Sequence, residues 1–255
     1  MKGGKLSTKY IKEFLKQSYN KKLQNIGDYD IDHSLSGQRV QVYKHKYSPQ
    51  TVVVHRGTKG LQDVYNDVKY ALGMNISNSK RLKYANDIQK KAEQKYGKEN
   101  ITTLGHSLGS HISSSVGKDS KEVINLNKPI GIQDLYTKPL DNEYNVRTTL
   151  DPVSFLLPFS RHNNDKVITI PSKTINPLEE HKTDVLDRLP VDTMIGQGIR
   201  KLAKKDLKDI IKYHPHRHLK PRCGITGKTK KELIDFIETH YSQGIRAPGH
   251  QGILS

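Results

Sequence analysis

The chain has 255 residues, of which 33% are hydrophobic and 27% charged, and its formal net charge is +17. This length accommodates one α/β domain with a small appendage, and no apolar run approaches the ~18 residues of a membrane span. The only cysteine, Cys223, excludes an internal disulfide. The N-terminus lacks the uninterrupted apolar region of a secretory signal. These features favour an intracellular (cytoplasmic) or virion-associated protein.

The positive charge is concentrated towards the two ends of the chain. Residues 1–22 carry a net charge of +6 and residues 200–231 a net charge of +10, so the middle is almost neutral. Basic segments of this kind contact an anionic membrane surface or nucleic acid, or they form solvated helical faces. Both interpretations stay open, and the ends contain none of the candidate catalytic residues.

Strand and helix patterns alternate along the chain. The stretch STKYIKEFLKQSY (7–19) has helical spacing of its apolar residues, and two further helices are predicted over 60–96 and 107–118. Strands are predicted over 39–47, 51–55, 101–104, 122–127, 145–153 and 166–171. This order predicts an α/β fold with a mainly parallel sheet covered by helices on both faces. We expect three parts: a basic N-terminal helical extension (1–37), the sheet-containing domain (38–190) and a basic helical C-terminal extension (191–255).

The segment Gly105-His106-Ser107-Leu108-Gly109 matches the pattern G-x-S-x-G. A predicted strand precedes it and a predicted helix follows, which is the context in which this pattern forms a strained turn that presents a nucleophilic serine. Side chains at the two glycines would collide with neighbouring elements at such a turn. A serine hydroxyl also needs a histidine to accept its proton and a carboxylate to orient that histidine.

The order of these residues along the chain selects the partners of Ser107. The preferred acid is Asp151, which closes a predicted strand and precedes a proline, and the alternatives are Asp134 and Asp141. The preferred base is His181, in a loop after the last predicted strand, and His162 is the alternative.

Three motifs together resemble the class-3 lipases, the fungal-lipase-like branch of the α/β-hydrolases. They are VVVHRGT (52–58), GHSLGS (105–110) and LDPVSFLLP (150–158), in the order typical of that family. The resemblance implies an α/β-hydrolase-like domain with Ser107, Asp151 and His181 as its triad. It also implies an oxyanion hole formed by Thr58 and the backbone N–H of Leu108.

We therefore expect a serine ester hydrolase of the lipase or phospholipase type, which acts on lipid carboxylic esters through an acyl-enzyme. The alternative is a virion or nucleic-acid-associated docking or structural protein on a hydrolase scaffold. No cofactor or metal is expected. A metal site of His214, His216, His218 and Cys223 would lack a carboxylate, and GITGKTK (224–230) has Arg222 where a P-loop requires glycine.

Overall fold

The structure is a computed structural model that describes residues 6–58, 79–154 and 156–189, together with Thr193 and Ile195. The chain divides into two units, Met1–Gly196 and Gln197–Ser255, and all the described residues belong to the first. The basic segment 200–231, the histidine and cysteine cluster within it, and most of the predicted C-terminal extension lie outside the described residues.

Seven strands form one sheet whose spatial order follows the chain. They are β1 (Tyr29–Ile31), β2 (Val40–His45), β3 (Thr51–His55), β4 (Ile101–His106), β5 (Glu122–Leu126), β6 (Glu143–Thr148) and β7 (Val167–Ile170). Strands β1, β2 and β3 pair antiparallel, and every neighbouring pair from β3 to β7 is parallel. The predicted α/β fold with a mainly parallel sheet is confirmed.

Helices cover both faces of this sheet. They are α1 (Thr8–Gln17), α2 (Lys80–Tyr96), α3 (Leu108–Val116) and α4 (Pro177–Glu180), with short 3-10 helices at Lys98–Asn100, Gln133–Leu135, Leu157–Phe159 and Thr183–Arg188. Side chains of a strand alternate between faces. Accordingly, Val52 and Val54 pack in the cluster with α1, whereas Val53 packs in the cluster with α2 and α3. In the described ranges no helix is long and apolar enough to cross a membrane.

Helix α1, which the sequence placed in an extension, packs into the same core as the sheet. Its apolar stripe, with Ile11, Phe14 and Leu15 at helical spacing, is buried. The Phe14 ring lies 5.0 Å from the Tyr29 ring and 4.8 Å from the Tyr43 ring, measured between centroids.

The polar side of α1 also has partners within this unit. Lys12 and Lys16 form ion pairs with Asp184, at 3.0 and 2.7 Å. Part of the basic N-terminal charge is therefore compensated locally.

Candidate active site

Ser107 lies in a sharp turn between β4 and α3. Its φ of 55° and ψ of −132° are sparsely populated by non-glycine residues, and such strain is characteristic of functional positions. Two backbone hydrogen bonds hold the turn. The Ser107 N–H donates to the Leu126 carbonyl oxygen at 3.0 Å, and the Ser110 N–H donates to the Ser107 carbonyl oxygen at 2.8 Å. The strand–turn–helix context expected for the G-x-S-x-G pattern is present.

The glycines around Ser107 allow close approaches of backbone segments. A Cβ atom on Gly105 would lie 2.5 Å from the Gly109 carbonyl oxygen, and one on Gly109 would clash with the carbonyl oxygen of His55 at the end of β3. Both contacts are too short for a real Cβ atom. The predicted steric need for glycine at both positions agrees with this geometry.

Asp151 and His181 form a buried pair after the carboxyl ends of β6 and β7. His181 Nδ1 lies 2.5 Å from Asp151 Oδ1, and both residues are at most 2% exposed. The other carboxylate oxygen, Oδ2, accepts hydrogen bonds from the Ser154 N–H at 2.8 Å and the Ser154 hydroxyl at 2.5 Å. With Oδ2 held by Ser154, the carboxylate is fixed in the orientation that binds the imidazole.

Glu180, the residue before His181, anchors the segment that carries the imidazole. Its carbonyl oxygen accepts hydrogen bonds from Asn127 Nδ2 at 3.1 Å and Thr148 Oγ1 at 2.9 Å, at the ends of β5 and β6. Its buried carboxylate binds Arg188 at 2.5 Å. Although burial raises the pKa of Glu180, its hydrogen bonds, led by the one from Arg188, lower it below the usual range. Glu180 and Asn127 were not predicted from the sequence, because the residues that they contact here are distant in the chain.

The side chains of Ser107 and His181 both end in an unpaired polar atom. Ser107 Oγ and His181 Nε2 are buried, and neither has a hydrogen-bond partner among the residues described. The His181 segment is nevertheless tied to the serine turn. His106 Nε2, one residue before Ser107, lies 2.8 Å from the His181 carbonyl oxygen, and the two imidazole rings are 5.0 Å apart.

Of the two positions expected to form the oxyanion hole, Leu108 follows Ser107 in the chain and Thr58 lies in the segment after β3. Leu108 is the first residue of α3, where backbone N–H groups have no partner within the helix. Thr58 follows Gly57, and a Cβ atom added to Gly57 would lie 3.0 Å from the Ser107 Cβ. The end of β3 therefore lies directly against the serine turn.

The alternative acid and base lie together in a different buried cluster. His162 Nε2 is 3.5 Å from Asp134 Oδ1, and His162 Nδ1 is 3.5 Å from the Lys128 ammonium, which pairs with Glu143 at 2.8 Å. Although burial raises the pKa of Glu143, Lys128 and the neighbouring donors hold it far below its usual range. Within the described ranges, neither His162 nor Asp134 bonds to Ser107, Asp151 or His181. The other alternative, Asp141, is exposed.

The described part of the chain contains no group of three or more histidine, cysteine or acidic side chains that could hold a metal ion. His214, His216, His218 and Cys223 lie outside the described residues.

Comparison with known families gives one match. Residues 13–122 match the family model of the Tle-like phospholipase domain. The match runs from the second half of α1 to the first residue of β5 and includes Ser107, but it ends before Asp151 and His181. It supports a phospholipase- or lipase-like family and does not single out the class-3 branch. No curated protein matches this chain.

Proposed function

We propose that the protein is a serine ester hydrolase that cleaves lipid carboxylic esters through an acyl-enzyme on Ser107. The observation that carries this proposal is the buried Asp151–His181 hydrogen bond of 2.5 Å beside a serine in a strained turn. Activated-serine catalysis requires a histidine that accepts the serine proton and a carboxylate that orients this histidine. The Asp151–His181 hydrogen bond supplies the second relation. Ser107 Oγ and His181 Nε2, which have no hydrogen-bond partner among the described residues, are the two atoms between which the proton would pass.

In the proposed mechanism, Ser107 Oγ attacks the ester carbonyl carbon while its proton passes to His181 Nε2. Asp151 stays ionised and stabilises the imidazolium through the bond to Nδ1. The oxyanion would be stabilised by the Leu108 N–H at the start of α3 and by Thr58. His181 then protonates the leaving alcohol, which gives the acyl-enzyme. A water molecule, deprotonated by His181, attacks the acyl carbon and releases the carboxylic acid and Ser107.

Two observations favour a lipid substrate. The first is the phospholipase-like family match over residues 13–122. The second concerns the large apolar side chains exposed in the described residues. Six of these eight lie in the segments that follow β5, β6 and β7, and the segments after β6 and β7 contain Asp151 and His181. The six are Ile132, Tyr136, Leu150, Phe159, Ile175 and Leu178. Exposed apolar surface beside a reaction site suits contact with acyl chains. Nothing in the comparison or in the described ranges favours the alternative docking or structural role.

Hydrolysis of a short soluble p-nitrophenyl ester and of phospholipid vesicles tests this function. We expect wild-type protein to hydrolyse both, and Ser107→Ala to keep its fold and lose at least about 10³-fold in kcat on each. His181→Ala should behave like Ser107→Ala, whereas His162→Ala should keep turnover whenever it folds. Wild-type turnover by Ser107→Ala would refute the serine mechanism.

A further inference from the structure

Tyr19, in the turn after α1, forms a hydrogen-bonded connection between the end of β3 and the serine turn. The Gly57 N–H donates to the Tyr19 hydroxyl oxygen at 3.2 Å. The same hydroxyl lies 2.6 Å from Nδ1 of His106, whose ring packs edge-on against the tyrosine ring. One side chain thus contacts the residue beside Thr58 and the residue beside Ser107.

The protons along this connection can be assigned. The His181 carbonyl oxygen only accepts, so His106 Nε2, at 2.8 Å, carries the proton. Burial, the largest cause, lowers the pKa of His106 to about 3, and this imidazole is therefore neutral at physiological pH. Its Nδ1 must accept, and Tyr19 must donate. Burial likewise raises the pKa of Tyr19 to about 12, so the hydroxyl keeps its proton. The order is Gly57 N–H to Tyr19, Tyr19 to His106, and His106 to the His181 carbonyl.

Each part of this connection borders a group of the proposed site. Gly57 precedes Thr58, His106 precedes Ser107, and the carbonyl that accepts the last hydrogen bond belongs to the proposed base. Helix α1, which leads to Tyr19, is itself paired through Lys12 and Lys16 with Asp184, three residues after His181. The N-terminal helix is therefore attached to both sides of the proposed site.

We propose that Tyr19 is a positioning residue for the ester hydrolase, which acts through His106 to keep His181 aligned with Ser107. This inference rests on the proposed function. The Tyr19 hydroxyl forms no hydrogen bond with Ser107 or with the Asp151–His181 pair. Its contribution is to fix the tautomer and the orientation of His106, and through it the backbone of the base.

The comparison of Tyr19→Phe with Tyr29→Phe tests this role. Both variants keep the ring and remove one hydroxyl from a hydrogen-bonded tyrosine that packs near α1. The Tyr29 hydroxyl donates to Gln50 Oε1 at 2.8 Å, and no atom of that pair belongs to the proposed site. If the Tyr19 hydrogen bonds only stabilise the fold, the two variants should behave alike, and both should lose thermal stability but keep turnover.

With the soluble ester, we expect Tyr19→Phe to lower kcat by about 10-fold or more with KM unchanged, because loss of alignment slows reaction more than binding. Tyr29→Phe should stay within about 2-fold of wild type, a difference too small to reflect lost alignment. In a His106→Gln background, Tyr19→Phe should have little additional effect on kcat, since the two residues act in series. A folded Tyr19→Phe variant with wild-type kcat overturns the proposal, as does an effect of full size in the His106→Gln background.

Ser107→Ala, measured in parallel, separates this inference from the proposed function. If Ser107→Ala abolishes turnover and Tyr19→Phe leaves kcat unchanged, the hydrolase proposal stands and the role of Tyr19 is refuted. If Ser107→Ala keeps wild-type turnover, the hydrolase proposal fails, and the role of Tyr19 fails with it. If Tyr19→Phe does not fold at 25 °C, kcat per reactive serine, counted by stoichiometric fluorophosphonate labelling at lower temperature, gives the same comparison.

Discussion

Asp151 orients the imidazole of His181 within a fully buried hydrogen-bond network. Its two oxygens have separate partners: one binds His181 Nδ1 at 2.5 Å, and the other accepts both hydrogen bonds from Ser154. An acceptor at this position requires the proton of His181 to reside on Nδ1, which leaves Nε2 free to accept the serine proton. The tautomer of His181, the proposed base, therefore depends on Asp151.

Asp151→Asn should lower kcat by about 10³–10⁴-fold, because the amide can donate to Nδ1 and favour the wrong tautomer. Asp134→Asn is the matched control, since that carboxylate contacts His162 in the other cluster. Turnover of the soluble ester by both variants measures the difference. Equal losses of kcat for the two variants, or a larger loss for Asp134→Asn, would contradict the assignment of Asp151 as the acid.

The turn between β4 and α3 is the element that presents Ser107, and its shape depends on the contact between Gly109 and β3. Gly109→Ala would drive a methyl group into the His55 carbonyl oxygen. We expect this variant to lose at least 10²-fold in kcat, since displacements of about 1 Å at a reacting group have effects of this size. Gly37→Ala is a suitable control, because its nearest neighbour is only the terminal hydroxyl of the Tyr84 side chain, at 2.9 Å. Wild-type turnover by Gly109→Ala would show that the turn tolerates a side chain there.

Elements with a local sequence pattern could be predicted, whereas contacts between segments far apart in the sequence could not. The strand before Ser107 and the helix after it have local patterns, and both occur where they were expected. The role of α1 had no local signal. Its amphipathic pattern indicated a helix, but the partner of Lys16, Asp184, is 168 positions away. Strand β1 has only three residues, too few to show alternation.

The same distinction applies to the candidate site. Ser107 is proposed from a contiguous motif, and Asp151 and His181 are proposed from their order and their position after strands. Tyr19, His106 and Glu180 could not be assigned a role, because each acts through a contact between segments far apart in sequence. His106 precedes Ser107 in the chain, and in the structure its Nε2 hydrogen-bonds to the His181 carbonyl oxygen.

For the molecule as a whole, burial of neutral histidines couples stability to pH. Burial lowers the pKa of His55 to about 4 and that of His106 to about 3, whereas an exposed histidine in the unfolded chain titrates near 6.5. Between these values the unfolded chain binds more protons, so the free energy of unfolding should fall as the pH decreases from about 7 to 4. The slope is at most about 1.4 kcal/mol per pH unit for each histidine.

Urea unfolding at pH 7.5, 6 and 5 measures this dependence. The wild-type free energy of unfolding should decrease across the series, and His55→Gln should flatten the decrease, because it removes one buried histidine whose pKa is lowered. A wild-type free energy that is constant between pH 7.5 and 5 would contradict the account of these histidines.

Contact with a lipid surface would involve charge and exposed apolar side chains together. The basic segment 200–231, with a net charge of +10, lies outside the described ranges, and we propose that it binds an anionic membrane surface. Binding to anionic vesicles should then weaken with salt, while hydrolysis of the soluble ester hardly changes. Ile175→Ser should weaken vesicle binding more than Tyr47→Ser, since both residues are highly exposed but only Ile175 follows β7. Salt-independent binding, or equal effects of the two variants, would contradict this role.

Covalent labelling by a fluorophosphonate tests most directly whether Ser107 is an activated nucleophile, because the reaction does not depend on the substrate. We expect stoichiometric labelling of wild-type protein, with the adduct located on Ser107 by mass spectrometry of the peptide that contains it. His181→Ala should lose the reaction, whereas a folded His162→Ala variant should keep it, because only His181 is paired with Asp151. Absence of labelling in folded wild-type protein, or labelling that survives in Ser107→Ala, would contradict the account.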